Sequence, residues 1–222
     1  MVAKAYTLRE RKYARTKIAI MNSFIQQLSH SRFDNISIKQ ICKDVDVAEG
    51  TFFNYFPEKI DVISYYLSLT TLKMIYEAKK QVPAGKYLSL IDLVFRRLSE
   101  GWNNDNLIYQ IISVLLSQGG RSKTLDISGI EKKIAFPDRS DIEKVPSVML
   151  HEWFKECLIL AQKNGELPSR VNIDDATISL MTIVFGTMLA IRFSNKNKST
   201  YHYMRQLRIL WRDLGAKDYA NR

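Results

Sequence analysis

A chain of 222 residues, 46% hydrophobic and 25% charged, has the make-up of a globular protein able to bury a full core without disulfide or metal staples. Its net charge of +10 is concentrated at the ends: Lys4, Arg9, Arg11, Lys12, Arg15 and Lys17 face only Glu10 within residues 1–17, and eight basic residues face only Asp213 and Asp218 within residues 190–222. Two distant cysteines, Cys42 and Cys157, exclude a disulfide framework and lack metal-ligand spacing, so reduced buried thiols in a cytoplasmic protein are expected, with no metal and no cofactor.

Proline and glycine are sparse, at five and nine, and long 3.6-residue periodicities dominate, so an all-α fold is expected. Thr7 and Glu10 have the spacing of a capping box, and Ile18, Met21, Ile25 and Leu28 form one buried stripe behind it. After Phe33 and Ile36, Ser37 with Gln40 predicts a second capped helix that buries Ile38, Ile41 and Cys42. Val45-Asp46-Val47 reads as a tight turn, residues 48–56 as a short third helix, and Pro57 as a stop suited to the first turn of a fourth. Two short helices across a tight turn outline a helix-turn-helix, whose second helix is shaped to enter the DNA major groove.

The fourth helix carries Ile60, Ile63, Leu67, Thr70 and Met74 on one stripe and is expected to end before Pro83. A fifth is predicted over 87–102 and a sixth, apolar on most sides, over 105–118. Residues 119–146 read as a long irregular stretch with one short helix near 127–134. Helices are then predicted over 147–164, capped by Gly165, over 174–194 and over 200–214. The apolar run Ile178 to Phe193 is interrupted by Thr, Ser and Gly and ends at an arginine, which favours a buried helix over a membrane span; Met1 to Lys12 is polar and basic, unlike a secretory signal.

The third helix divides into a buried side, Phe52 and Phe56 backed by Val47, and an outward side. On the outward side Gly50 permits close approach of a groove wall, Thr51 can meet a thymine methyl or a phosphate, and the Tyr55 hydroxyl can donate to a phosphate. Lys59 can pair with a phosphate as a point charge. Glu49 can accept from a cytosine amino group or cap its helix away from DNA. A basic N-terminal arm, residues 1–17, beside the helix-turn-helix supplies what phosphate binding needs.

The run Phe33-Asp34-Asn35-Ile36-Ser37-Ile38-Lys39-Gln40-Ile41-Cys42, followed by Val47-Ala48-Glu49-Gly50-Thr51-Phe52-Phe53-Asn54-Tyr55-Phe56-Pro57-Glu58-Lys59, resembles the DNA-binding head of the TetR family of bacterial transcriptional regulators. The resemblance covers about residues 9–63 and rests on Gly-Thr followed by Tyr-Phe-Pro-x-Lys. It implies an all-α homodimer with a helix-turn-helix head at 1–56 and an effector-binding and dimerisation body at 57–222, of about nine to ten helices in all. It further implies DNA contacts at Ser37, Lys39, Glu49, Gly50, Thr51, Phe53, Tyr55 and Lys59. Phe53 departs from the tyrosine usual in the family, replacing a phosphate-bonding hydroxyl with an apolar edge. In such a body Leu67, Met74, Phe95, Leu98, Trp102, Tyr109, Ile112, Leu116, Trp153 and Phe154 are the candidate lining for a small lipophilic effector. The helices near 147–164 and 174–194, the latter apolar over a wide arc and carrying Gly186, are the candidate dimer face. The expected function is a ligand-responsive repressor of a palindromic operator; the alternative is a helical carrier of small molecules or lipids. No catalytic constellation accompanies these features: His30, His151 and His202 are isolated, and there is no Gly-rich phosphate loop.

Overall fold

The computed structural model describes residues 6–101, 105–119, 125–194 and 199–219. Among these, ten α-helices and two 3₁₀ turns account for the regular structure. The helices are α1 (Leu8–His30), α2 (Ile38–Asp44), α3 (Glu49–Tyr55), α4 (Lys59–Lys79), α5 (Tyr87–Gly101), α6 (Asp105–Ser117), α7 (Gly129–Ala135), α8 (Leu150–Lys163), α9 (Ile173–Ser194) and α10 (Ser199–Asp213). The chain divides into two compact units: Met1–Leu72 with Asn104–Met149, and Lys73–Asn103 with Leu150–Arg222.

In the first unit α1 starts as its sequence dictates. The Glu10 carboxylate accepts the Thr7 N–H at 2.7 Å while the Thr7 hydroxyl accepts the Glu10 N–H at 3.2 Å, so two otherwise orphaned helix donors are satisfied. The second capping box forms only by half. Ser37 Oγ accepts the Gln40 N–H at 3.2 Å, but the Gln40 amide turns one helical turn onward to Asp44 Oδ1 at 2.7 Å, because a carboxylate attracts it more strongly than a neutral backbone group. The turn between α2 and α3 is closed by Val47 N–H donating to Cys42 O at 2.9 Å, with Asp46 in the left-handed region at φ 55°, which aspartate tolerates better than branched residues. Helix α4 begins two residues beyond Pro57, where Asp61 Oδ2 accepts the Glu58 N–H at 3.0 Å.

One hydrophobic core gathers Ile18, Met21, Phe24 and Leu28 of α1, Ile41 of α2, Phe52 of α3, Ile63 and Tyr65 of α4, and Ile111 of α6, with Ile127 ahead of α7. Full burial of side chains this size contributes about 1.5–3 kcal/mol each. The stretch 125–146 is more regular than its composition indicates. Ser128 and Glu131 make a complete capping box that opens α7, and a 3₁₀ turn follows at Ile142–Lys144. Helices α6 and α7 both pack on α1.

In the second unit α5, α8, α9 and α10 pack pairwise. Phe95 stacks on Phe154 at 5.3 Å between ring centroids, and Tyr203 joins them at 5.6 Å from Phe95. Asp92 accepts the Trp211 indole N–H at 2.8 Å and the Tyr219 hydroxyl, tying the chain after α10 to α5. Gly165, at φ 72°, ends α8 as expected, and Glu166 beyond it accepts the N–H groups of Tyr87 and Leu88 at the start of α5. Helix α9 is long and apolar enough to cross a membrane by length and composition, yet it packs against α8 and α10. One side of its wide apolar arc, Leu180, Val184 and Met188, is buried, whereas Ile178 is 64% and Phe185 36% exposed.

Candidate nucleic-acid interface

Helix α3 is seven residues long and is held in place almost wholly by its buried side. Phe52 is 0% and the following Phe56 1% exposed, and their rings meet at 6.1 Å. Packing this tight leaves Glu49, Gly50, Phe53 and Asn54 facing solvent, with Thr51 and Tyr55 half-buried. A Cβ built on Gly50 meets nothing within 4 Å, so the surface there is open. Ala48 occupies the cap position without a side-chain hydrogen bond, and Glu49 is the first helical residue. The capping role open to Glu49 in the sequence therefore does not arise; its carboxylate sits in the first turn, where the helix dipole favours negative charge.

Around α3, Ser37 and Lys39 at the start of α2 are exposed, and so are Arg9, Arg11, Lys12 and Arg15 on the outer face of α1. Lys4 lies outside the described residues. Lys17, the sixth basic residue of the predicted arm, points the other way. Its ammonium lies 2.8 Å from Glu131 Oε1, with side-chain exposures of 12% and 5%. It cannot serve as a free phosphate contact in this arrangement. Lys59 is also engaged: its ammonium donates to Ile36 O at 2.7 Å and lies 5.9 Å from the Phe33 ring centroid. An ammonium has three donors, so this bond leaves others for a phosphate. Tyr55 packs its ring on Tyr13 of α1 at 4.5 Å.

Two titratable groups lie beside this surface. Burial, with the charge of Glu49, raises the Cys42 pKa. Burial, followed by the charges of Glu131 and Tyr55, raises that of Tyr13. No pattern along the chain marks the Lys17–Glu131 pair, which joins residues 114 positions apart in α1 and α7. The Ser128-x-x-Glu131 spacing, a capping-box signature, marks where the short helix expected near 127–134 begins.

The candidate effector lining is divided between the two units. Leu67, Tyr109, Ile112 and Leu116 belong to the first unit, and Met74, Phe95, Leu98, Trp153 and Phe154 to the second. Leu116 is 74% exposed, whereas Phe95, Trp153 and Phe154 are packed against one another in the core of their unit. Trp102 lies outside the described residues. A shallow apolar groove on α8 and α9, bordered by His151, Ile178, Met181, Phe185 and Gly186, contains none of the predicted lining residues.

Neither a family model nor a curated protein sequence matches the chain. Solved structures do. The FadR protein of Thermus thermophilus, described as a TetR-family transcriptional repressor in complex with lauroyl-CoA, aligns with TM-score 0.61 and 20% identity over 87% of this chain and 92% of that one. FadR of Bacillus halodurans, a fatty acid degradation regulator, aligns at 0.60 and 13% over 96% and 100%. A TetR transcription regulator of Haloarcula marismortui aligns at 0.58 and 12% over 90% and 98%. The class that fold and site define is therefore an all-α helix-turn-helix protein. Within that class, the chain has the fold of the TetR-type regulators.

Proposed function

We propose that this chain is a DNA-binding transcriptional regulator rather than an enzyme, acting as a cytoplasmic homodimer on a palindromic operator and released by a small lipophilic effector. The observation that carries the reading is the construction of α3. A seven-residue helix anchored by Phe52 and Phe56 presents Glu49, Gly50 and Phe53 outward, with four exposed basic residues on the neighbouring α1. Such a unit offers base-reading groups on one short element and phosphate-binding charge beside it, the division of labour that groove recognition requires. Ser37, Lys39, Thr51, Tyr55 and Lys59 complete the proposed contact set. A carrier needs only the helical body and gives no reason for this head.

Dimerisation is assigned to α8 and α9, with the head at 1–56 and the body at 57–222 as functional divisions. The apolar groove bordered by Ile178, Met181 and Phe185 supports this, because a monomer gains nothing by leaving such side chains in water. A two-fold dimer binds half-sites separated by one or more helical turns, about 34 Å each. A small lipophilic effector is supported by similar structures that hold lauroyl-CoA in one case and, at TM-score 0.54, resorcinol in another.

Selection from a randomised duplex library tests the reading. It should enrich a palindrome whose affinity falls steeply and linearly, on logarithmic axes, with salt. Thr51→Ala should lower that affinity by roughly fivefold or more, equivalent to about 1 kcal/mol, without changing the melting temperature. Failure to enrich any sequence refutes the regulator and leaves the carrier.

A further inference from the structure

A buried ion pair costs desolvation, and an apolar pair of the same volume is often as stable or more so. The Lys17–Glu131 pair therefore calls for an explanation other than stability. Its carboxylate is fully used. Glu131 Oε1 takes the Lys17 ammonium at 2.8 Å and the Tyr65 hydroxyl at 3.0 Å, while Oε2 accepts from Ser128 N and Oγ at 2.8 and 2.5 Å. One side chain of α7 thus grips both α1 and α4. The Lys17 ammonium also lies 4.5 Å from the Tyr65 ring centroid, 5.8 Å from Phe56 and 6.0 Å from Tyr13.

Tyr13 and Lys17 are one turn apart on the same face of α1. Tyr13 in turn carries the Tyr55 ring of α3 at 4.5 Å, and Phe56 closes α3. An unbroken series of contacts therefore runs from the recognition helix through Tyr13, Lys17 and Glu131 to Tyr65. Apolar surfaces tolerate small slides against each other, whereas a hydrogen-bonded ion pair has a preferred distance and direction. Burial opposes the Glu131 charge, but the Lys17 and Ser128 contacts outweigh it and hold its pKa below the ordinary glutamate value, so the ion persists at neutral pH.

We propose that Glu131, through its ion pair with Lys17, is a positioning residue for DNA reading: it fixes the setting of α1 and thereby the angle at which α3 meets its operator. The inference rests on the DNA-binding reading above and extends it, because it assigns a role in operator recognition to a residue of α7 that touches no DNA. Sequence discrimination depends on that angle, whereas attraction to phosphate depends mainly on charge.

The test uses the full chain carrying Lys17→Met with Glu131→Gln. The pair is removed without leaving a lone buried charge, and glutamine keeps the α7 capping box. Operator and random-duplex affinities are measured side by side, with circular dichroism to verify folding. The folded double variant should bind random duplex within about twofold of the parent and lose roughly tenfold in affinity for the selected operator. Tyr65→Phe, which removes one hydroxyl from the network, should lower the operator-to-random ratio by about threefold and decides the matter if the double variant does not fold. Parental discrimination retained in the folded variants overturns the inference alone. A parent chain with no sequence preference overturns the regulator reading, and this inference with it.

Discussion

Lys59 is the residue at which sequence and structure assign different work, and Lys59→Met separates the two. The substitution keeps the apolar stem and removes the charge. In the folded chain the ammonium donates to Ile36 O at 2.7 Å and lies over the Phe33 ring, so it ties the segment before α2 to the start of α4. A hydrogen bond to a charged group contributes about 1.5–3 kcal/mol and an exposed cation–π contact about 0.5–1. Lys59 is only half-buried, and solvent screening reduces both, which leaves about 1–2 kcal/mol. The melting temperature should therefore fall by roughly 2–8 °C. If the remaining ammonium donors also hold a phosphate, operator and random-duplex binding should weaken together and the salt slope should drop by about one. Thermal melts without DNA and anisotropy titrations at several salt concentrations measure the two effects independently. A lower melting temperature with an unchanged salt slope makes Lys59 a structural tie and refutes the phosphate assignment. An unchanged melting temperature refutes the energetic weight given to the Ile36 bond.

Three further outcomes are expected. Ile178→Asp with Phe185→Glu should dissociate the proposed dimer without unfolding the protomer, since both side chains are exposed; light scattering that still gives the parental mass moves the interface elsewhere. Glu131 has a lowered pKa in the fold, so the stability it contributes is present above the ordinary glutamate value and is lost as pH falls through its folded value. Urea titrations at descending pH should show a flatter acid loss for Glu131→Gln than for the parent, and equal slopes would contradict the assignment. Asp92→Ala leaves the Trp211 indole and the Tyr219 hydroxyl without their acceptor, at about 1–3 kcal/mol, and limited proteolysis should then release residues after α10 sooner than in the parent.

Local chemistry made most of the helices legible. The Thr7 capping box, the Val45-Asp46-Val47 turn, the stop at Pro57 and the left-handed Gly165 each act within a few residues, and each appears where its residue type predicts. The two faces of α3 were equally legible, because a 3.6-residue period over Phe52 and Phe56 leaves little choice of what turns inward. The half-formed box at Ser37 shows the limit of such reasoning: Gln40 could accept the Ser37 N–H or donate to Asp44, and only the surrounding structure decided between them.

What the sequence by itself determined was an all-α chain with a helix-turn-helix head, since helix period, caps and turns are local properties. Tertiary structure alone decided which charges remain free. Lys17 reads as one more basic residue of a phosphate-binding arm, yet it turns inward to a carboxylate in α7. Lys59 reads as a point charge for DNA, yet it first satisfies a backbone carbonyl. The partner of a charge is set by which distant elements share a core, and no spacing along the chain encodes that.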